Sequence, residues 1–103
     1  MVTELTTTET FDLTLSNNTT VICKFHATWC GPCRGYSTTF ASAAESYAHT
    51  PFISIDVDQF PELASKYSVK SVPTTIVFNN GIVKEVKTGA MSIEELVNSI
   101  AVS

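Results

Sequence analysis

Apolar and polar positions along the chain fall into short blocks that switch between strand and helix period. Residues 2–5 suit a short strand, and the threonine-rich stretch 7–15 suits an irregular first helix around Phe11, Leu13 and Leu15. Asn17-Asn18 marks a turn, since asparagine side chains readily bond nearby backbone. Val21 to His26 is mostly apolar, the pattern of a strand buried on both faces. From Gly31 to Ala48, Tyr36, Phe40, Ala43, Ala44 and Tyr47 form one helical stripe. Pro32 lies in its opening turn, where a missing N–H costs nothing. Ile53, Ile55 and Val57 alternate with Ser54, Asp56 and Asp58, the period of a strand. Pro61 opens a short helix carrying Leu63, Ala64 and Tyr67.

The C-terminal third is the most sharply patterned. Thr74 to Phe78 and Ile82 to Lys87 flank Asn79-Asn80-Gly81. Asn-Gly between two β-prone runs predicts a hairpin, because a type I′ turn needs positive φ at both central residues. Ile93, Leu96, Val97, Ile100 and Ala101 repeat at helical spacing. Ser92 and Glu95 supply a capping box for that helix, and Met91 staples onto Leu96. The order β-α-β-α-β-α-β-β-α predicts an α/β fold, a mixed sheet with helices on both faces. No internal repeat, low-complexity block or linker composition interrupts it.

Composition narrows the function. The 103 residues fit a single domain, 1–103, and the 44% hydrophobic fraction is that of a packed chain. Charged residues are only 16%, and six Lys/Arg against ten Asp/Glu leave a net charge of -4. With no basic stripe, nucleic acid is excluded as a direct ligand. No apolar run approaches the roughly 20 residues that span a bilayer. Met1-Val2-Thr3-Glu4 carries no basic n-region and no apolar h-region follows, so a cytoplasmic location is expected. Structural disulfides are rare there, and three cysteines cannot all pair within one chain. That odd count favours reactive thiols, or one reactive pair and a spare.

Trp29-Cys30-Gly31-Pro32-Cys33 stands where a strand hands over to a helix. Cys30 is expected at or just before the helix N-terminus, where unpaired N–H groups and the helix dipole favour a thiolate. Two intervening residues let Cys33 reach Cys30 across the first turn. Beside a βαβ pattern, such a Cys-x-x-Cys reads as a redox pair.

The segment Ala27-Thr28-Trp29-Cys30-Gly31-Pro32-Cys33 resembles the active-site signature of the thioredoxin family. Asp58-Gln59 with Pro61 and Lys66-Tyr67, then Val72-Pro73-Thr74, then Gly89-Ala90, resemble further family segments at the expected spacing. The similarity covers nearly the whole chain and is weakest over residues 1–20. It implies a thioredoxin fold, with about five strands in a central mixed sheet flanked by about four helices. It also implies a monomeric protein-disulfide reductase without a cofactor, acting on disulfide-containing proteins and recycled by thioredoxin reductase. Cys30 would attack the substrate disulfide, and Cys33, the more shielded, would resolve the mixed disulfide. Trp29, Gly31, Pro32, Val72, Pro73, Thr74, Gly89 and Ala90 would form the rim that receives substrate, with Pro73 in the cis form. Gly31-Pro32 resembles the dipeptide of the reducing members of the superfamily.

Several positions depart from the family. Lys24 stands six residues before Cys30, where most thioredoxins carry an aspartate, and Ser54 stands where a bacterial-type member has a lysine. Lys24 either packs its stem and pairs with Asp56 or water, or tunes the thiols by its charge or as a neutral base. Thr38 replaces a helix-kinking proline, so a straighter second helix is expected. His26, often tryptophan in bacterial relatives, is assigned to packing or surface over titration. Arg34 adds local positive potential or is a plain solvated residue, and His49 favours the C-terminal dipole of the second helix. Cys23-x-x-His26 with Cys30-x-x-Cys33 superficially offers four zinc ligands. Cys23 and His26, however, are an odd number apart on a strand and point to opposite faces. No metal is therefore expected, and Cys23 reads as a buried inert thiol. Two other functions compete: a thioredoxin-fold binding subunit of another enzyme, and a more oxidising oxidoreductase tuned by Lys24.

Overall fold

The computed structural model describes residues 1–101. Its elements follow the expected order: β1 (Val2–Glu4), α1 (Thr8–Asn17), β2 (Thr20–His26), α2 (Gly31–Ser46), β3 (Phe52–Asp56), α3 (Pro61–Lys66), β4 (Thr74–Asn79), β5 (Ile82–Thr88) and α4 (Ile93–Ala101). The strands form one sheet in the order β1-β3-β2-β4-β5. β1, β3 and β2 run parallel, while β4 is antiparallel to β2 and β5 to β4. β2, the strand that leads to the cysteines, is thus central and paired on both sides.

Each face of the sheet has its own core. On one, Phe11 of α1 and Leu63 of α3 pack with Val21, Cys23, Phe25, Ile55 and Phe78. On the other, Tyr36, Phe40, Ala43 and Ala44 of α2 and Leu96 and Ile100 of α4 pack with Ile22, Phe52 and Val77. Every residue of β3 is buried. The alternation of Ile53 and Ile55 with Ser54 and Asp56 therefore separates two covered faces, with the polar set under α2.

The local signals are realised with small shifts. α1 is a regular ten-residue helix, not an irregular one. Thr7 caps it, its Oγ1 accepting the Thr10 N–H at 3.1 Å, which satisfies one of the unpaired donors of the first turn. Only Phe11 is buried from its apolar set, and Leu13 is 55% exposed. α2 is continuous from Gly31 to Ser46, across Thr38, and His49 lies beyond its end. Asn80 and Gly81 form the hairpin turn with φ of 55° and 78°. Ser92 and Glu95 exchange the two capping bonds, at 3.0 and 3.1 Å, and Met91 is buried in the same cluster as Leu96.

Phe11 is the sole buried residue of α1 and meets the Tyr67 and Phe78 rings edge-on, at 6.0 and 5.9 Å. Phe11→Ala is expected to cost about 3–5 kcal/mol of stability, read as a lower midpoint in urea unfolding with an unchanged slope.

Candidate active site

The chain leaves β2 at His26 and re-enters helix at Gly31, with Cys30 as the N-cap of α2. Cys30 has extended backbone, and its Sγ accepts the Cys33 N–H at 3.2 Å, closing the cap with sulfur where other helices use a hydroxyl. Pro32 falls in the first turn and removes one donor that has no intrahelical partner. Cys30 and Cys33 are joined as a disulfide, with Cα atoms 5.4 Å apart.

A loop distant in sequence completes the site. The Val72–Pro73 peptide is cis, and the Val72 carbonyl oxygen lies 3.7 Å from Cys30 Sγ. Pro73 accepts the Gly89 N–H through its own carbonyl at 2.8 Å, tying the start of β4 to the end of β5. Trp29 is 70% exposed, and its Nε1–H donates to Asp58 Oδ2 at 3.0 Å. Trp29, Val57, Val69, Lys70, Ser71 and Val72 line a cleft of about 100 Å³. A larger polar cleft of about 630 Å³ lies at the opposite end of the sheet, lined by Asp12, Ser16, Asn18 and Asn80 among others. It holds none of the cysteines.

The structure brings Trp29, Cys30, Gly31, Pro32, Cys33, Val72, Pro73, Gly89 and Ala90 to one end of the sheet, but not all the expected positions behave alike. Thr74, expected on the rim, is 3% exposed, and its hydroxyl donates inward to the Ser71 carbonyl at 2.7 Å. In register with Phe25, it faces the core shared with α1 and α3. Cys33 and Cys30 are both buried, at 3% and 4% exposure. Lys24 does not pair with Asp56. Its Nζ donates to Ser37 Oγ at 2.8 Å and lies 5.3 Å from the Phe40 ring centroid. Asp56 Oδ1 instead accepts the Asp58 N–H at 2.8 Å, preparing the turn that presents Asp58 to Trp29.

Sequence reasoning missed Ser37 and Asp58 as supports. Ser37 follows Cys33 by one helical turn, a spacing that places the two on one face; its hydroxyl donates to the Cys33 carbonyl at 2.9 Å. Asp58 stands out in the sequence by family spacing alone. His26 Nε2 lies 2.8 Å from Glu4 Oε2, a contact reaching across β3 to β1. Cys23 sits on the other face, in the core with Phe11 and Phe78. Among the described residues, no group of three or more His, Cys, Asp or Glu is placed to hold a metal.

Complete burial pushes the Cys23 thiol far above its ordinary pKa. With Cys30 and Cys33 reduced, neutral iodoacetamide is expected to leave Cys23 unlabelled until the chain is unfolded, as peptide mass spectrometry reads. The unfolded chain releases the Cys23 proton near about pH 8.5, whereas the folded chain keeps it, so stability is lost as pH rises past that value. In the oxidised protein, Cys23→Val is expected to remove that part of the alkaline loss in urea midpoints.

Comparison with known proteins agrees with this geometry. The family model described as Thioredoxin matches residues 2–102. A thioredoxin of Mycoplasma genitalium is 34% identical over 98 residues, covering 95% of this chain and 96% of its own. Thioredoxin 1 of Plasmodium falciparum is 33% identical over 103 residues, covering 98% of this chain and 99% of its own. The solution structure of oxidised Plasmodium falciparum thioredoxin superposes with a TM-score of 0.87 at 32% identity, over 96% of this chain and 97% of that one. A mutant thioredoxin from Halobacterium salinarum gives a TM-score of 0.91 at 31% identity, over 98% of this chain and 88% of that one. A sulfur-capped helix carrying a paired cysteine, on this sheet, makes the chain a dithiol–disulfide oxidoreductase that belongs to the thioredoxin family.

Proposed function

We propose that Cys30 is the attacking thiolate and Cys33 the resolving thiol of a reductase for protein disulfides, recycled by thioredoxin reductase. The observation that carries this reading is the bond from the Cys33 N–H to Cys30 Sγ. A backbone donor and the positive end of a 16-residue helix favour negative charge on Cys30. Cys33 has no corresponding position at the helix terminus.

In the first step, Cys30 thiolate attacks one sulfur of a substrate disulfide. A Cys30–substrate bond forms, the substrate S–S bond breaks, and the departing substrate thiolate takes a proton from solvent. In the second, Cys33 thiolate attacks Cys30 Sγ, the internal disulfide forms, and the second substrate sulfur leaves with the other electron pair. Two electrons have passed to the substrate, and the reductase returns two to the Cys30–Cys33 bond.

Trp29, Gly31, Pro32, Val72, Pro73, Gly89 and Ala90 receive the substrate chain. The Val72 carbonyl beside Cys30 Sγ and the apolar cleft next to Trp29 support this assignment. Thr74 is left out because its hydroxyl is occupied within the fold. The chain works as a monomer in a reducing compartment such as the cytoplasm. Supporting the monomer, edge strand β5 carries Lys84, Glu85 and Lys87, charges that discourage edge pairing. Among the described residues, no helix is long and apolar enough to cross a membrane.

Insulin-disulfide reduction driven by a thioredoxin reductase is the direct test. Cys30→Ser is expected to bring turnover to background. Cys33→Ser is expected to accumulate the mixed disulfide with insulin, visible as a covalent adduct on a non-reducing gel. An adduct that forms through Cys33 in the Cys30→Ser variant as fast as the Cys30 adduct of Cys33→Ser would overturn the assignment of the two roles.

A further inference from the structure

Lysine is almost never buried unless its ammonium is paired. Lys24 is 4% exposed, in the middle of β2. Strand register places it in a row with Glu4, Ser54, Thr75 and Lys87, one residue from each strand. That row lies on the face covered by α2, and two helix side chains reach down to it. Tyr36 Oη meets Thr75 Oγ1 at 2.7 Å, and Ser37 Oγ accepts from Lys24 Nζ at 2.8 Å. The Ser37 hydroxyl donates in turn to the Cys33 carbonyl at 2.9 Å. The ammonium is therefore held two hydrogen bonds from the backbone of Cys33, with the Phe40 ring 5.3 Å away on the other side.

Of the charged groups around it, Lys24 is the cation that is buried. Glu4 on β1 is taken up by His26 of β2, Asp56 on β3 by the Asp58 amide. Arg34 on α2 and Lys87 on β5 are exposed to solvent. Burial lowers the Lys24 pKa, and the Glu4 carboxylate opposes that shift.

We propose that Lys24 is a positioning residue for the resolving step, its Ser37-tethered ammonium supplying the positive charge that favours Cys33 thiolate beneath the first turn of α2. The inference rests on the reading of Cys33 as the resolving thiol. Where the thioredoxin pattern places a carboxylate able to accept a proton, this chain places a charge able to stabilise the anion. The Cys33 thiol gives its proton to solvent, and the thiolate forms the bond to Cys30 Sγ. The bond between Cys30 and the substrate then breaks, and the substrate thiolate is protonated by solvent. No further reactant enters.

The test measures Cys33 alone, in a Cys30→Ser background, as the rate of modification by iodoacetamide against pH. Lys24→Met keeps most of the volume and removes the charge; the midpoint is expected to rise by about one pH unit, or about tenfold less thiolate at a given pH below it. Lys24→Arg keeps the charge and is expected to hold the original midpoint. In the Cys30-containing protein, Lys24→Met is expected to slow release of insulin from the mixed disulfide about tenfold. A midpoint unchanged by Lys24→Met, or shifted alike by Met and Arg, overturns the proposal and leaves Lys24 a packing residue. Should Lys24→Met not fold, Ser37→Ala, at a half-buried position, decides: removing the tether raises the midpoint, and no rise sinks the idea. Because this titration involves no substrate, its failure is separable from failure of the Cys33 assignment, which the Cys33→Ser adduct reports.

Discussion

A helix that begins on a cysteine has to satisfy its first amides with sulfur, and the rest of this site is arranged around that requirement. Cys30 Sγ accepts the Cys33 amide, so the two thiols are brought together by the same hydrogen bond that starts α2. Gly31 and Pro32 occupy the intervening turn without adding a side chain that competes for the sulfur. The helix then delivers its dipole to one atom. A thiolate in that place is stabilised whether or not any charged side chain is near, because the donor is a backbone amide that no side chain short of proline takes away.

The sheet decides what else reaches that sulfur. β2 is the central strand, so its end is flanked by the end of β3 and the start of β4. β4 runs antiparallel to β2, and its leading loop therefore arrives beside Cys30 although Val72 lies 42 residues away in sequence. Ligand sites at the ends of central strands in open α/β sheets follow from the same topology. The polar cleft at the other end of the sheet has greater volume, but none of the cysteines is among the residues that line it.

Much of this was legible in the chain itself because the signals were local. A hairpin is written in Asn80-Gly81, a helix start in Ser92 and Glu95, and the redox pair in the spacing of Cys30 and Cys33. What was not legible depended on which face of a strand meets which turn of a helix. Lys24 and Asp56 are in adjacent strands with opposite charges, so pairing them is the natural reading of sequence alone. The register offsets them by two residues, since Lys24 aligns with Ser54 and Asp56 with His26, and α2 crosses so that Ser37 covers Lys24 first. Thr74 escapes a sequence reading for a related reason. It follows the cis proline directly, but strand alternation turns it to the face away from α2, where the Ser71 carbonyl engages its hydroxyl. α1 proved regular because Thr7 supplied a cap that a threonine-rich stretch does not single out.

The near-equal burial of Cys30 and Cys33 shifts the basis on which their roles are distinguished. Accessibility does not separate them, since both are sealed among Ala27, Val57 and Val72. Electrostatic surroundings do. Cys30 faces backbone amides at the open end of a helix and the carbonyl of Val72 at the rim, whereas Cys33 is one turn in, over a layer of buried polar groups. Among the described residues that layer leaves no buried side-chain nitrogen or oxygen without a partner, so the polar row under α2 is a satisfied network and not a defect of packing. A charge embedded in such a network cannot reorient as solvent does, and it is screened less than the charge of an exposed lysine. The two cysteines thus differ in their surroundings: the Cys30 sulfur accepts a backbone amide at a helix terminus, and the Cys33 carbonyl is linked through Ser37 to a buried lysine.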